Sequence, residues 1–181
     1  MWRRKYFFAV IIVANFFLWM FCLPERLFLE PTCTVLKDKT GSILGARIAD
    51  DGQWRFPPSL SVPEKFERAI IEFEDKDFNS HMGISFKAFG RALKQNISEG
   101  KVVSGGSTIT MQTIRLSRKG KSRSYWEKLI EVYMATRLEW RLNKAEVLRL
   151  YASNAPMGGN VVGIEAAAWR YFGRSAHELS W

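Results

Sequence analysis

Apolar positions follow three rhythms along this chain. From Tyr6 to Leu23 they are nearly continuous: "YFFAVIIVANFFLWMFCL" holds Asn15 as its only strongly polar side chain, and Arg3, Arg4 and Lys5 precede it. Such a run predicts a helix able to cross a bilayer. The basic cluster on its amino side keeps residues 1–5 cytoplasmic and puts everything after Pro24 outside. A cleaved signal peptide would call for a shorter apolar core and a small-x-small site, so an uncleaved anchor is the expectation. The second rhythm, from Thr34 to Phe56, alternates short β-branched stretches with the turn sequences "DKTG" and "ADDGQ", which predicts a small hairpin. Pro57, Pro58 and Pro63 then break the strand pattern. From Glu64 the period becomes helical, with Phe66, Ala69, Ile70 and Phe73 on one face. Further helices are predicted over "SFKAFGRALKQNI", after Gly106, over Ser124–Leu142, over Lys144–Tyr151 up to the stop "NAPMGGN", and over "GIEAAAWRYFG". The expectation is a mainly α domain over residues 64–181, preceded by a linker and small β-hairpin (24–63), a transmembrane helix (6–23) and a short tail (1–5).

Composition narrows this picture without naming a function. A chain of 181 residues, 47% hydrophobic and 25% charged, has room for one domain with a real core and is no disordered tail. Its formal net charge of +9 asks for an anionic partner: nucleic acid, anionic lipid or a phosphorylated substrate. Cys22 and Cys33 are too few for a disulfide framework and match no zinc spacing, and the bulky Phe21 speaks against lipoprotein processing at Cys22.

Two stretches carry candidate chemistry. In "SGGSTITMQ", Ser104 to Gln112, two glycines and the hydroxyls of Ser107 and Thr108 open a helix, an arrangement of turn, cap and free backbone N–H groups that favours an anion. Downstream, Arg115, Arg118, Lys119, Lys121 and Arg123 follow with no acid among them. A solvated basic loop would explain the cations alone, but beside the glycine-hydroxyl turn they point to phosphate. No Gly-Lys-Ser/Thr follows, so this is not an ATP-binding loop. No nucleic-acid module accompanies the cations, which lie beyond the anchor, so a phosphorylated lipid or envelope polymer fits better than nucleic acid. In "IEFEDKDFNSHMG", Glu74 ends an apolar helix pattern where Phe73 and Phe78 could bury its surroundings, the condition for acid or base work near neutrality. Glu131 is the candidate second carboxylate, with Lys128 one turn before it; an ordinary helix ion pair would account for Glu131 by itself.

The order of these stretches resembles glycosyltransferase family 51, the peptidoglycan glycosyltransferase domain of class A penicillin-binding proteins and of monofunctional enzymes. "EDKDFNSHMG", "GGSTITMQ", "RSYWEKLIE", "KAEVLRLY" and "GIEAAAWRYFGR" look like its five motifs, in order, from Glu74 to Arg174. Met111 and "APMGGNVVGIEAAAWRYFGR" look most like the penicillin-binding protein 1C branch. The resemblance implies a lysozyme-like α fold that polymerises lipid II into glycan strands, with undecaprenyl diphosphate leaving. It implies Glu74 as general base and Glu131 as the second acid, which holds the donor diphosphate through a divalent cation, Mg or Mn, or orders nearby basic groups. It further implies support of the first site by Asp75, Phe78 and His81, a cleft lined by Ser107, Thr108 and Gln112, and cations on the diphosphate from Arg115 and Lys128. Partners would be lipid II, the growing strand, the bacterial inner membrane and other wall-synthesis proteins, with the domain on the extracytoplasmic side.

Three departures qualify the match. The third motif's usual Arg is Glu127, which removes a guanidinium and sets a like charge one turn from Glu131; that should raise the Glu131 pKa and weaken donor binding unless Lys121 or Arg123 compensates. Ala152 and Ser153 follow Tyr151 where the family has Leu-Asn, and a local packing difference is expected there. The family continues beyond the position of Trp181 into further helices and, in bifunctional members, a transpeptidase, whose serine motif is not in this sequence. A membrane-anchored binder of lipid II or of wall-synthesis proteins that does not polymerise is therefore the alternative. A lysozyme-type hydrolase shares the paired-carboxylate logic but leaves the basic loop without a purpose.

Overall fold

The structure is a computed structural model that describes residues 2–101, 105–119, 121 and 124–181, with side chains from residue 6 onward. The side chains of Arg3 to Lys5, and Ser104 and Arg123, lie outside the described residues. Seven α-helices are described, with two short two-stranded sheets.

Helix α1 (Trp2–Phe21) ends two residues before the apolar run does. Cys22 and Leu23 leave it to pack against the core. The last turns of α1 are held to the domain: Trp19 Nε1 donates to Thr136 Oγ1 at 3.0 Å, and Arg137 Nε to the Met20 carbonyl at 3.1 Å. From Tyr6 to Phe21 the helix rises about 24 Å at about 1.5 Å per residue, less than the roughly 30 Å of a hydrocarbon core. Among the described residues no helix is long and apolar enough to cross a membrane.

The hairpin is shorter than the alternation suggested. Strands β1 (Thr34–Lys37) and β2 (Ile43–Arg47) pair antiparallel, Thr34 opposite Arg47. Asp38 closes the turn by accepting from the N–H groups of Thr40 and Ser42. Strand β3 (Trp54–Arg55) instead pairs in parallel with β4 (Val161–Val162), far along the chain. Aromatic packing holds β3 there: the Trp54 and Phe56 rings lie 5.9 and 5.7 Å from that of Trp169.

Helices α2 (Glu64–Glu74), α3 (Phe86–Glu99), α4 (Ile109–Ser117), α5 (Tyr125–Arg141), α6 (Lys144–Asn154) and α7 (Ile164–Phe172) follow. Their starts obey capping chemistry. Ser85, Thr108 and Ser124 accept from the N–H three residues on, and Asn143 with Glu146 forms a full capping box. α4 lies between α5 and α6, and Ile109, Ile114, Ala135, Leu138 and Val147 have no solvent exposure there. Gly83 makes the close approach possible: its φ is +83°, and a Cβ on it would stand 2.7 Å from the Ala135 carbonyl oxygen. In α7, Ala166, Ala167 and Ala168 are buried while Tyr171 and Phe172 remain exposed.

Candidate active site

Glu74 is the last residue of α2, and the helix stops because Asp75 leaves helical geometry at φ −158° and ψ 72°. A carboxylate at the negative end of a helix needs another partner. Gln112, on α4, supplies one: its Nε2 donates to Glu74 Oε2 at 2.7 Å. Thirty-eight residues apart in sequence, the first and second motifs meet at this bond. Glu74 is half-buried, but not by both expected aromatics: Phe78 is 1% exposed, whereas Phe73 is 85% exposed and turns away.

Asp75 and His81 serve the helix beside the base. Asp75, 5% exposed, accepts the Ile109 N–H at 3.0 Å, at the first turn of α4. His81 Nε2 lies 3.0 Å from the same carboxylate, which favours the Nε2–H tautomer. Its buried Nδ1 has no hydrogen-bond partner among the described residues. The start of α4, expected to offer free N–H groups to a substrate anion, is thus occupied by the protein's own carboxylate. Thr108, expected to line the cleft, is 1% exposed; its hydroxyl donates to the Gly83 carbonyl at 2.7 Å and accepts the Met111 N–H. Ser107 is half-buried in the approach to α4.

Tyr151, on α6, marks the convergence around Glu74. Burial raises its phenol pKa, the Glu74 charge raises it further, and Arg115 opposes both. Glu74, Arg115 and Tyr151 therefore share one electrostatic field at the meeting of α2, α4 and α6. Glu131, on α5, is 8% exposed, and Lys128, one turn earlier, is exposed.

The basic stretch is less free than its sequence suggests. Arg118 is forked onto Glu127, Nε and Nη2 to the two oxygens at 2.8 to 3.1 Å. Lys119 pairs with Glu30 at 2.8 Å. Glu127 thus meets a guanidinium from position 118, while Lys121 is exposed and Arg123 lies outside the described residues. The Arg118 guanidinium offsets the Glu127 charge that stands one turn from Glu131.

A second cluster escaped the sequence reading. Lys144 Nζ donates to the His81 carbonyl at 2.6 Å and to Glu139 Oε1 at 2.7 Å, and Thr110 Oγ1 donates to that same Glu139 oxygen at 2.5 Å. A lysine at the first position of a helix was the available signal, since that end favours acids. Among the described residues no group of three His, Cys, Asp or Glu side chains could hold a metal. A cation would need oxygens from elsewhere to complete its shell.

A family model described as a transglycosylase matches residues 42–181. The chain is 41% identical over 137 residues to penicillin-binding protein 1C of Escherichia coli K12, covering 75% of this chain and 18% of that protein. It is 36% identical over 138 residues to penicillin-binding protein 1A of Pseudomonas aeruginosa, covering 75% and 17%. To the biosynthetic peptidoglycan transglycosylase of Herminiimonas arsenicoxydans it is 38% identical over 126 residues, covering 70% and 54%. The matched region thus spans about a sixth to a half of these relatives.

Proposed function

The chain belongs to the transglycosylase family, and on that premise we propose that it polymerises lipid II into peptidoglycan glycan strands, with Glu74 as general base in a lysozyme-like arrangement. The observation that carries this reading is the 2.7 Å bond from Gln112 to Glu74, which presents a half-buried carboxylate beside α4. In the proposed step, Glu74 takes the proton of the acceptor N-acetylglucosamine 4-hydroxyl as that oxygen bonds to the anomeric carbon of the donor N-acetylmuramic acid. The anomeric carbon–oxygen bond to the diphosphate breaks with inversion, and its electron pair leaves with undecaprenyl diphosphate. Arg115 and Lys128 supply positive charge to that leaving group. Glu131, with oxygens of the substrate diphosphate, would hold a divalent cation, Mg or Mn, that neutralises charge there. Ser107 fits the cleft wall; Asp75, Phe78 and His81 act through the helix and loop that hold the base.

Membrane attachment belongs to the same proposal. The exposed apolar side chains of α1 and of α3 (Phe86, Phe89, Leu93 and Ile97) support placement at the outer face of a bacterial inner membrane, within reach of lipid II. A single-pass anchor would run from Tyr6 to Leu23, with residues 1–5 on its cytoplasmic side. The Arg118–Glu127 fork favours one second reading: mutual neutralisation removes cationic character where the resembled third motif usually has an arginine. A lipid II or wall-synthesis protein binder that does not polymerise would follow.

Polymerisation of fluorescent lipid II by the detergent-solubilised chain with magnesium or manganese, beside Glu74→Gln, tests the reading. Strands from the unmutated chain and a loss of at least about a hundredfold in the variant, with lipid II still bound, are the expected result. Binding without strands in either protein would favour the binder.

A further inference from the structure

Lys144 stands where helix electrostatics disfavour it. As the first residue of α6, next to the Asn143 cap, its ammonium sits at the positive end of the helix. A residue that breaks a local rule needs compensation from tertiary contacts. Lys144 has three: the His81 carbonyl at 2.6 Å, Glu139 Oε1 at 2.7 Å, and the Phe78 ring, whose centre lies 4.5 Å from Nζ. The Glu139 side chain is 4% exposed, and its bonded oxygen also accepts the Thr110 hydroxyl. A buried carboxylate is tolerated only when paired and hydrogen-bonded, so these groups depend on one another.

The cluster joins the two segments that hold Glu74. Phe78 and His81 belong to the loop that leaves Glu74, while Thr110 lies on α4 two residues before Gln112, whose amide grips the Glu74 carboxylate. One ammonium therefore ties that loop to that helix at the level of Thr110, beyond the Asp75–Ile109 and Gly83–Thr108 bonds at the helix start. We propose that Lys144 is a positioning residue for Glu74, fixing the Glu74–Gln112 contact through the His81 main chain on one side and Glu139–Thr110 on the other; this rests on the reading of Glu74 as general base. Without the charge, Glu139 loses its ion-pair partner, the loop loses one of its ties to α4, and the amide–carboxylate contact slackens. An N–H donated to a carboxylate favours its ionised form, so a slack contact moves the acid limb of the rate profile to higher pH. Other charged or titratable groups around the base, among the described residues, are Arg115 on α4, Tyr151 on α6, and Asp75 and His81 in the loop, and Lys144→Met substitutes none of them.

The test is lipid II polymerisation by the full chain across pH, for the unmutated protein, Lys144→Met, Lys144→Arg and Thr110→Val, with Glu74→Gln as reference. Rates are expressed per lipid II-binding site. Lys144→Met is expected to lower kcat about ten- to hundredfold, leave lipid II affinity within about twofold, and displace the acid limb upward. Lys144→Arg recovers part of the rate. Thr110→Val, which removes one hydrogen bond and no charge, gives a smaller displacement in the same direction and decides the matter if Lys144→Met does not fold. A limb that stays in place in every folded variant overturns the proposal, because a purely structural lysine would change the amount of active protein and not the limb. Strands made by Glu74→Gln would instead overturn the base reading, and this inference with it.

Discussion

Helices α3 and α4 are consecutive, and both carry apolar residues at helical spacing, yet they end in opposite environments. α4 buries Ile109, Thr110, Met111, Thr113 and Ile114 of its nine residues; α3, with fourteen, buries only Ala92. Phe86, Phe89, Leu93 and Ile97 form one stripe on α3 and are 82%, 52%, 50% and 72% exposed. α3 is nevertheless attached: a Cβ on Gly106 would stand 2.9 Å from the Phe89 Cα, so the glycine preceding α4 lets the two segments touch backbone to backbone. The lesson is that spacing gives a helix its face, while the neighbours decide what that face meets. α4 found α5 and α6; the face of α3 is left to something other than the described chain.

That contrast can be broken by substitution. Ile114→Ala should cost about 2–5 kcal/mol in folding stability, read by chemical denaturation, because α5 and α6 cannot collapse onto the void. Loss below about 1 kcal/mol would mean that α4 is not the centre of the core. The paired change Phe89→Ser with Ile97→Ser on α3 should alter stability by only about 0.5 kcal/mol per site while reducing association with vesicles of anionic phospholipid. A destabilisation equal to that of Ile114→Ala would show that the stripe is packed in solution. A modest, pH-dependent effect lies just beyond the end of α4. Burial alone would raise the Glu30 pKa, but its bond from Lys119 and its backbone hydrogen bond outweigh burial and bring it below the usual value. A lowered folded pKa means stability that is present above the ordinary carboxylate range and lost as pH falls through it. Lys119→Met should therefore cost up to about 1 kcal/mol at neutral pH and almost nothing near about pH 3. An equal cost at both would place the contribution in packing of the lysine stem.

The helices were legible in the sequence because their determinants are local. Ser85, Thr108, Ser124 and Asn143 each sit at the cap position, and the apolar spacing after each runs to within a few residues of the helix ends. Glu74 and Gln112 were legible as candidates because their residue types and surroundings are unusual for a plain surface, but the bond between them was not. The hairpin was half legible: "DKTG" turned the chain as its Asx chemistry predicts. The departure of Trp54–Arg55 to Val161–Val162 depends on a strand more than a hundred residues later, and no local rule contains it.

Partners are where reading along the chain fell short. The basic run after α4 reads as free charge, yet Arg118 is claimed by Glu127 and Lys119 by Glu30. Thr108 reads as a cleft hydroxyl, yet both its hydrogen bonds are internal. Lys144 reads only as the opening residue of the "KAEVLRLY" stretch, yet it ties the loop after Glu74 to α4 and α5. The sequence by itself determined which segments are helical, which side chains can do acid–base and phosphate chemistry, and which family the motif order resembles, because propensity, capping and residue chemistry act over a few bonds. Only the tertiary structure decided which of those charges are left for a substrate and which hold the site in shape. Ion pairs and buried hydrogen bonds form between groups that packing brings within about 3 Å, whatever their separation along the chain.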